Sequence, residues 1–279
     1  MQVRKLAHSG RDVNHLSVGF AFYFAHACGI HHIPTQPQQS EALIMEWIFG
    51  NHAVTSALES GKRKVHEVRT TAQQADRYRN LCKQRGIGLS VVNKNVLDSM
   101  TKQPHQGVAA QVAPLGKVSL KDVAESGDLL VMLDQVTDPH NVGAILRSAN
   151  AMGAAAVIVP SRHSAKDSPI IGKASAGAME YTPMLDVGNL NTTIETLKGM
   201  GYWIVGLAGE ATQELGDVNL SGKIVIVMGS EGEGLRKLVR DNCDFLAKLP
   251  MIGDVESLNV SVAAGISLYE VTRQRKAKA

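Results

Sequence analysis

The chain has 279 residues, 44% of them hydrophobic and 20% charged, enough to bury a substantial core in one large domain or two smaller ones. Its formal charge of +3 at pH 7 is uneven: residues 45–115 hold ten Lys/Arg against five Asp/Glu, and residues 116–279 hold sixteen against nineteen. Three widely spaced cysteines without CxxC or His-x-x-x-His partners argue against a disulfide scaffold and a structural metal, and for a reducing, cytoplasmic setting.

Residues 1–44 differ from the rest. They carry five of the ten histidines, the cluster FAFYF and the loop-like IPTQPQQS, with no sustained helical or strand period. Their longest apolar stretch, around 16–30, is broken by Ala-His-Ala-Cys-Gly and is too polar for a membrane span. The expectation is a disordered extension, or an upstream stretch with the natural start at Met45.

From Met45 the pattern becomes regular. NHAVTSALES predicts a helix closed by Gly61, VHEVRTT a strand, and AQQADRYRNLCKQRG a helix closed by Gly86. IGLSVVN, KNVLDSMTK and GVAAQVAP follow as strand, short helix and strand. This is a basic α/β unit over 45–115, and its charge suits either a polyanionic partner or a solvated surface. Pro114, Gly116 and a polar run mark a linker at 116–124.

Residues 125–279 alternate strand and helix. DLLVMLDQV, AAAVIVP, TPMLDV, YWIVGLAG, GKIVIVMGS and FLAKLPM read as strands, separated by amphipathic helices and followed by a long last helix. Near-continuous apolar strands imply an α/β fold: a mostly parallel sheet with helices on both faces. Ligands of such sheets bind beyond the carboxyl ends of the strands, which points to the loops 206–210, 228–234 and 249–259.

Three segments carry chemistry. In DPHNVGAILRSANAMG, Asn141 stands where a helix begins, Gly143 permits close backbone approach, and Arg147 follows in the second turn. MGSEGEG has the glycines of a phosphate loop but lacks Lys-Ser/Thr, and Glu231 and Glu233 stand where a phosphate would sit. A cationic ligand without phosphate, such as S-adenosylmethionine, suits it better, although capping acids on a tight turn would read the same way. In LPMIGDVESLNVSVAAG, Ser257 and Asn259 precede a helix rich in small residues, suited to close packing or a subunit contact.

Together, Asn141-x-Gly143-x-x-x-Arg147, Met228-Gly229-x-Glu231-Gly232-x-Gly234 and Leu249-Pro250-Met251 through Ser257-Leu258-Asn259 resemble the SpoU (TrmH-like) family of RNA ribose 2′-O-methyltransferases, in the SPOUT superfamily. The likeness spans about 125–279, and 45–115, with HQGVAAQV, resembles the substrate-binding domain that precedes it in the members acting on a guanosine of 23S ribosomal RNA. The resemblance implies a deep trefoil knot, a homodimer, and a small ribosomal-protein-like RNA-binding domain in front. S-adenosylmethionine would be held by Leu207, Ala208, Gly209, Gly229, Gly234, Leu249, Met251 and Leu258. Arg147 would act at the ribose hydroxyl, oriented by Asn141 and Glu231, with Ser257 and Asn259 shaping the site. Ribosomal RNA would be gripped by Lys62, Arg63, Lys64, Arg77, Arg79, Lys83 and Arg85; aromatic residues for stacking are scarce there apart from Tyr78, which points to recognition of RNA shape. Alternatives are a transfer-RNA ribose methyltransferase, a non-catalytic assembly factor on the same fold, or a dinucleotide oxidoreductase; the last lacks G-x-G-x-x-G after its first strand.

Overall fold

A computed structural model describes residues 45–161 and 169–278; the expectation for residues 1–44 lies outside the described residues. The described residues form two sheets in sequence. The first has four strands, β1 (Glu46–Phe49), β2 (Val65–Thr70), β3 (Gly88–Val91) and β4 (Val108–Val112), in the order β1-β4-β2-β3. β2 and β3 run parallel, and the other two pairings are antiparallel. The edge strand β1 was not predicted: four residues, Glu-Trp-Ile-Phe, are too few to show a period.

Helices α1 (Asn51–Ser60), α2 (Ala75–Arg85) and α3 (Lys94–Met100) accompany this sheet. Gly61 and Gly86 close α1 and α2 in left-handed conformation, as expected of glycine at that position. Val54, Leu58, Tyr78 and Cys82 from the first two helices pack on Val68, Val108, Ala110 and Val112. Tyr78 is therefore core: it is 0% exposed and its hydroxyl donates to Asn51 Oδ1 at 2.8 Å. It is not available to stack on RNA, because it sits on the inward face of α2.

The expected linker is helical in its second half. Ser119 and Asp122 form a reciprocal capping box that starts α4 (Leu120–Ser126), and Val123 and Ala124 pack into the core of the second sheet. The polar residues around them hid the two that anchor the turn.

The second sheet has seven strands: β5 (Leu129–Leu133), β6 (Ala156–Pro160), β7 (Met184–Val187), β8 (Trp203–Leu207), β9 (Gln213–Glu214), β10 (Ile224–Met228) and β11 (Phe245–Lys248). Their order is β7-β6-β5-β10-β8-β11-β9, and every pairing is parallel. Successive residues of β5 divide between two cores, as period-two alternation requires. Leu129, Val131 and Leu133 join α5 (Pro139–Ala151) and α9 (Val260–Lys278) on one face. Leu130 and Met132 join α4, α7 (Leu190–Gly199) and α8 (Lys237–Asp241) on the other. Each such side chain contributes roughly 1.5–3 kcal/mol when fully buried, which explains the unbroken apolar run in the central strands.

Helix α5 begins earlier than expected. Asp138 is its N-cap, accepting from the His140 amide at 2.9 Å, and Pro139 occupies the first turn. Asn141 is thus released from capping. Gly143 behaves as expected: a Cβ there would lie 2.4 Å from Ala174 Cβ of α6 (Pro169–Ala174), so its absence lets the two helices touch.

Candidate functional site

The carboxyl ends of β8, β10 and β11 open into one cleft of about 940 Å³. All eight residues expected to hold a cofactor line it: Leu207, Ala208, Gly209, Gly229, Gly234, Leu249, Met251 and Leu258. Glu231, Ser257 and Asn259 line it as well. The sequence reading missed Glu214 and Lys248 on its wall; each ends a strand without a motif around it.

The glycine loop folds back on itself. Ser230 and Gly234 exchange two backbone hydrogen bonds, at 3.0 and 3.1 Å. A Cβ on Gly229 would lie 2.2 Å from the carbonyl carbon of Gly234, so this glycine is demanded by the loop's own closure. Gly232 and Gly234 have φ of +89° and +68°, the left-handed region that glycine enters without cost. The helix that follows the loop starts only at Lys237, because Arg236 is held elsewhere. Asp134, fully buried at the end of β5, accepts from the Arg236 amide at 2.8 Å and from its Nε at 2.6 Å. That ion pair ties the far end of the loop to the neighbouring strand.

A polar cluster stands at the cleft's edge. Glu231 Oε1 accepts from Asn141 Nδ2 at 3.1 Å, Asn259 Nδ2 at 2.7 Å and the Val260 amide at 3.3 Å. Asn259 Nδ2 also donates to Asn141 Oδ1 at 3.0 Å, and its own Oδ1 caps α9 by accepting from the Ser261 amide at 3.0 Å. Asn259, not Ser257, is therefore the helix cap. Three residues far apart in sequence are locked together, with Asn141 reaching in from the buried side of α5.

Arg147 is not part of that cluster. It is exposed on α5, its side chain makes no hydrogen bond or ion pair among the described residues, and it does not line the cleft. Six residues of helix turn it about 120° from Asn141, so the expectation that Glu231 and Asn141 orient it within one chain fails on helix geometry.

The electrostatics of the cleft are acidic: among the described residues, Glu210, Glu214, Glu231, Glu233 and Glu256 line it against Lys248 alone. Glu210 is held below the ordinary carboxylate range by its own backbone amide and by Arg240, whose guanidinium donates at 2.8 Å. An anionic phosphate is disfavoured here and a cation is favoured. Among the described residues, no group of His, Cys, Asp and Glu is placed to hold a metal ion.

Comparison with known proteins bears on this geometry. Residues 128–269, which span the seven-stranded sheet and much of α9, match the SpoU rRNA Methylase family. This chain belongs to that family. Residues 47–118 match the domain described as RNA 2′-O ribose methyltransferase substrate binding. Among similar SpoU proteins, the 23S rRNA (guanosine-2′-O-)-methyltransferase RlmB of Pseudomonas putida is 41% identical, over 84% of this chain and 98% of its own. Its counterpart in Coxiella burnetii is 43% identical, over 83% and 97%. The structure of the SpoU methyltransferase AviRb from Streptomyces viridochromogenes, in complex with the cofactor AdoMet, superposes with a TM-score of 0.73 at 25% identity, covering 84% of this chain and 91% of AviRb.

Within the SpoU substrate-binding match, the expected RNA contacts divide. Arg63 is a structural residue: its guanidinium donates to both oxygens of Glu180, from Nε to Oε2 at 3.1 Å, and also pairs with Glu46. Lys62 Nζ donates to the Tyr181 carbonyl at 2.7 Å. Both join the small sheet to the 3-10 turn Ala178–Glu180 of the large one, because they follow α1 where it meets that turn. Arg85 donates to the Glu59 carbonyl at 2.7 Å, and Arg79 pairs with Asp76 at 3.3 Å on the surface. Arg77 lies over the Tyr78 ring at 5.8 Å. The side chains of Lys64 and Lys83 are exposed, with no hydrogen bond or ion pair among the described residues.

Proposed function

We propose that this protein methylates the ribose 2′-hydroxyl of a guanosine in 23S ribosomal RNA, using S-adenosylmethionine. The observation that carries the reading is the acidic, glycine-floored cleft beside the Asn141–Glu231–Asn259 cluster. S-adenosylmethionine has no phosphate to meet those carboxylates, and it supplies an electrophilic methyl group on a sulfonium. The names of the relatives and the AviRb cofactor support the same reading.

In this reading the backbone of Leu207–Gly209, Gly229, Gly234, Leu249, Met251 and Leu258 holds the cofactor, and the buried Asp134–Arg236 pair keeps the glycine loop in register. Holding the hydroxyl in line with the methyl group supplies much of the rate. The Arg147 guanidinium, a donor without an acceptor, binds the adjacent phosphate and stabilises the developing alkoxide, whose proton passes to solvent. Ser257, exposed on the wall, meets the RNA. Lys64 and Lys83 contact phosphates and position without reading sequence.

The protein acts as a homodimer in which Arg147 serves the partner's cleft. Val262, Ile266 and Tyr269 form an exposed stripe on α9, 50%, 43% and 57% accessible, at a spacing that shares one helix face. Arg147 is next to Ser148, which packs on Gly265 of the same helix. The knot follows the same reading: α9 is laced to the 215–222 segment, with Gln274 donating to the Gly216 and Val218 carbonyls and Arg275 to those of Leu220, Asp128 and Gly222. A cytoplasmic setting accords with the substrate, and no described helix is long and apolar enough to cross a membrane.

Mixed dimers test this. Arg147→Ala and Gly229→Ala are each inactive alone, and mixing them restores about a quarter of wild-type methyl transfer to 23S RNA if each site draws on both subunits. Mixing without recovery, with dimers present, contradicts the shared site. A wild type that binds a dinucleotide and not S-adenosylmethionine contradicts the function.

A further inference from the structure

A second groove, of about 730 Å³, lies in the small domain between the start of α2 and the loop joining α3 to β4. It is separate from the lysines and arginines named above and from the cofactor cleft. Its floor is built with care. His105 is buried; its Nδ1 accepts from the Gly107 amide at 3.0 Å, and its Nε2 lies 2.8 Å from Asp98 Oδ1. Gln106 and Gly107 are both left-handed, with φ of +54° and +79°. The strained Gln106 is held by its side chain, which accepts from the Asn51 amide at 2.9 Å. The Thr71 amide donates to the Gly107 carbonyl at 2.9 Å. A Cβ at Gly107 would stand 2.8 Å from Thr71 Oγ1 and 3.3 Å from Gln74 Cγ, so glycine is what keeps the groove open.

The wall above this floor is amide-rich. The side chains of Gln73, Gln74 and Gln103 line the groove with no hydrogen bond to any described residue. Each carboxamide presents a donor and an acceptor side by side, the pattern that matches a base edge. Lys94 and Lys102 flank them on the exposed rim; Asp98, the one carboxylate among the described lining residues, meets His105 through Oδ1 and lies 4.0 Å from Lys94 Nζ through Oδ2. Phosphate-binding charge at the rim and free carboxamides within is a combination suited to an unstacked nucleotide.

We propose that this groove receives one unpaired nucleobase of the RNA substrate, read by Gln74 and Gln103 and positioned by Lys94 and Lys102. The proposal rests on the reading of this chain as an RNA-modifying enzyme and names the part of the RNA that the small domain selects. A single extruded base held here fixes the register of the RNA before the target ribose reaches Arg147.

The test measures RNA binding separately from methyl transfer. Full-length protein is titrated with protein-free 23S RNA fragments that tile the molecule, and the tightest fragment is remade with one abasic nucleotide at each unpaired position. In wild type, one abasic position weakens binding about tenfold, the scale of a well-made base contact. Gln74→Ala with Gln103→Ala weakens the intact fragment by a similar factor and shows no further loss at that position, while cofactor affinity is unchanged. The salt slope stays as in wild type, whereas Lys94→Ala or Lys102→Ala lowers it by about 0.7 each. Melting temperatures and the single variant Gln103→Glu, which keeps the side-chain shape, control for misfolding and show the same coupling. The proposal is overturned if the double variant binds as wild type does, if no abasic position couples to it, or if wild type binds no fragment. Wild type that binds RNA with this coupling yet transfers no methyl group overturns the proposed function alone.

Discussion

Arg63→Ala separates a structural arginine from an RNA contact. The Arg63 and Glu180 side chains are 6% and 2% exposed, so the pair joining the two sheets is dry. Burial pushes the Glu180 carboxyl above its ordinary value of 4.5, and Arg63 holds it back in part by hydrogen bond and charge. Removing the guanidinium leaves a buried carboxylate with nothing to pair with, at a cost of about 3–5 kcal/mol. For a chain of this size that lowers Tm by roughly 6–20 °C. The sign with pH follows. A carboxyl whose folded pKa is raised favours folding fully below about 4.5, and that contribution is lost as pH rises through the folded value. Without Arg63 the folded value rises further, so the penalty is largest at neutral pH and shrinks as pH falls toward 5. Thermal and urea unfolding between pH 5 and 8 read this directly, and adding Glu180→Gln to the variant restores part of the loss at neutral pH. A variant that melts within about 2 °C of wild type and instead loses RNA affinity refutes the reasoning and returns Arg63 to the phosphate contacts.

Three further outcomes follow from the site. Gly229→Ala forces a Cβ into the Gly234 backbone, so calorimetry shows S-adenosylmethionine affinity falling at least about 100-fold while circular dichroism shows the fold intact. Asn141→Asp sets a second carboxylate against Glu231, now 3.1 Å from the amide nitrogen, and reduces turnover about 100-fold at pH 8 with partial recovery at pH 5. Cys243, packed where Gly206 leaves room and with its thiol pushed up to about 12 by burial, resists alkylation at pH 8 in the folded protein; peptide mapping after iodoacetamide shows it modified only in denaturant.

The central strands were legible because both faces are buried: Leu129–Leu133, Ala156–Pro160 and Ile224–Met228 are apolar and buried throughout. Gly61, Gly86 and Gly143 were legible because each does what only glycine does at that place. β9 was not, since Gln213–Glu214 pair at an edge by backbone alone. The cleft's lining was legible through the resemblance, but its hydrogen bonds were not. Asn141 reads as a cap until Asp138 is seen to cap the helix, and Arg147 reads as its companion until the helix turns the two apart. Charge misled for Arg63 and Lys62, because a basic run next to a helix end looks the same whether it faces solvent or a second domain.

The most direct measurement is transfer from tritiated S-adenosylmethionine to 23S RNA lacking the modification, with total transfer RNA in parallel and Arg147→Ala beside wild type. The account predicts label in one large-subunit fragment as 2′-O-methylguanosine, absent with the variant although its Tm and cofactor affinity match wild type. Label confined to transfer RNA, label on a base instead of a ribose, or an Arg147→Ala protein as active as wild type would contradict it.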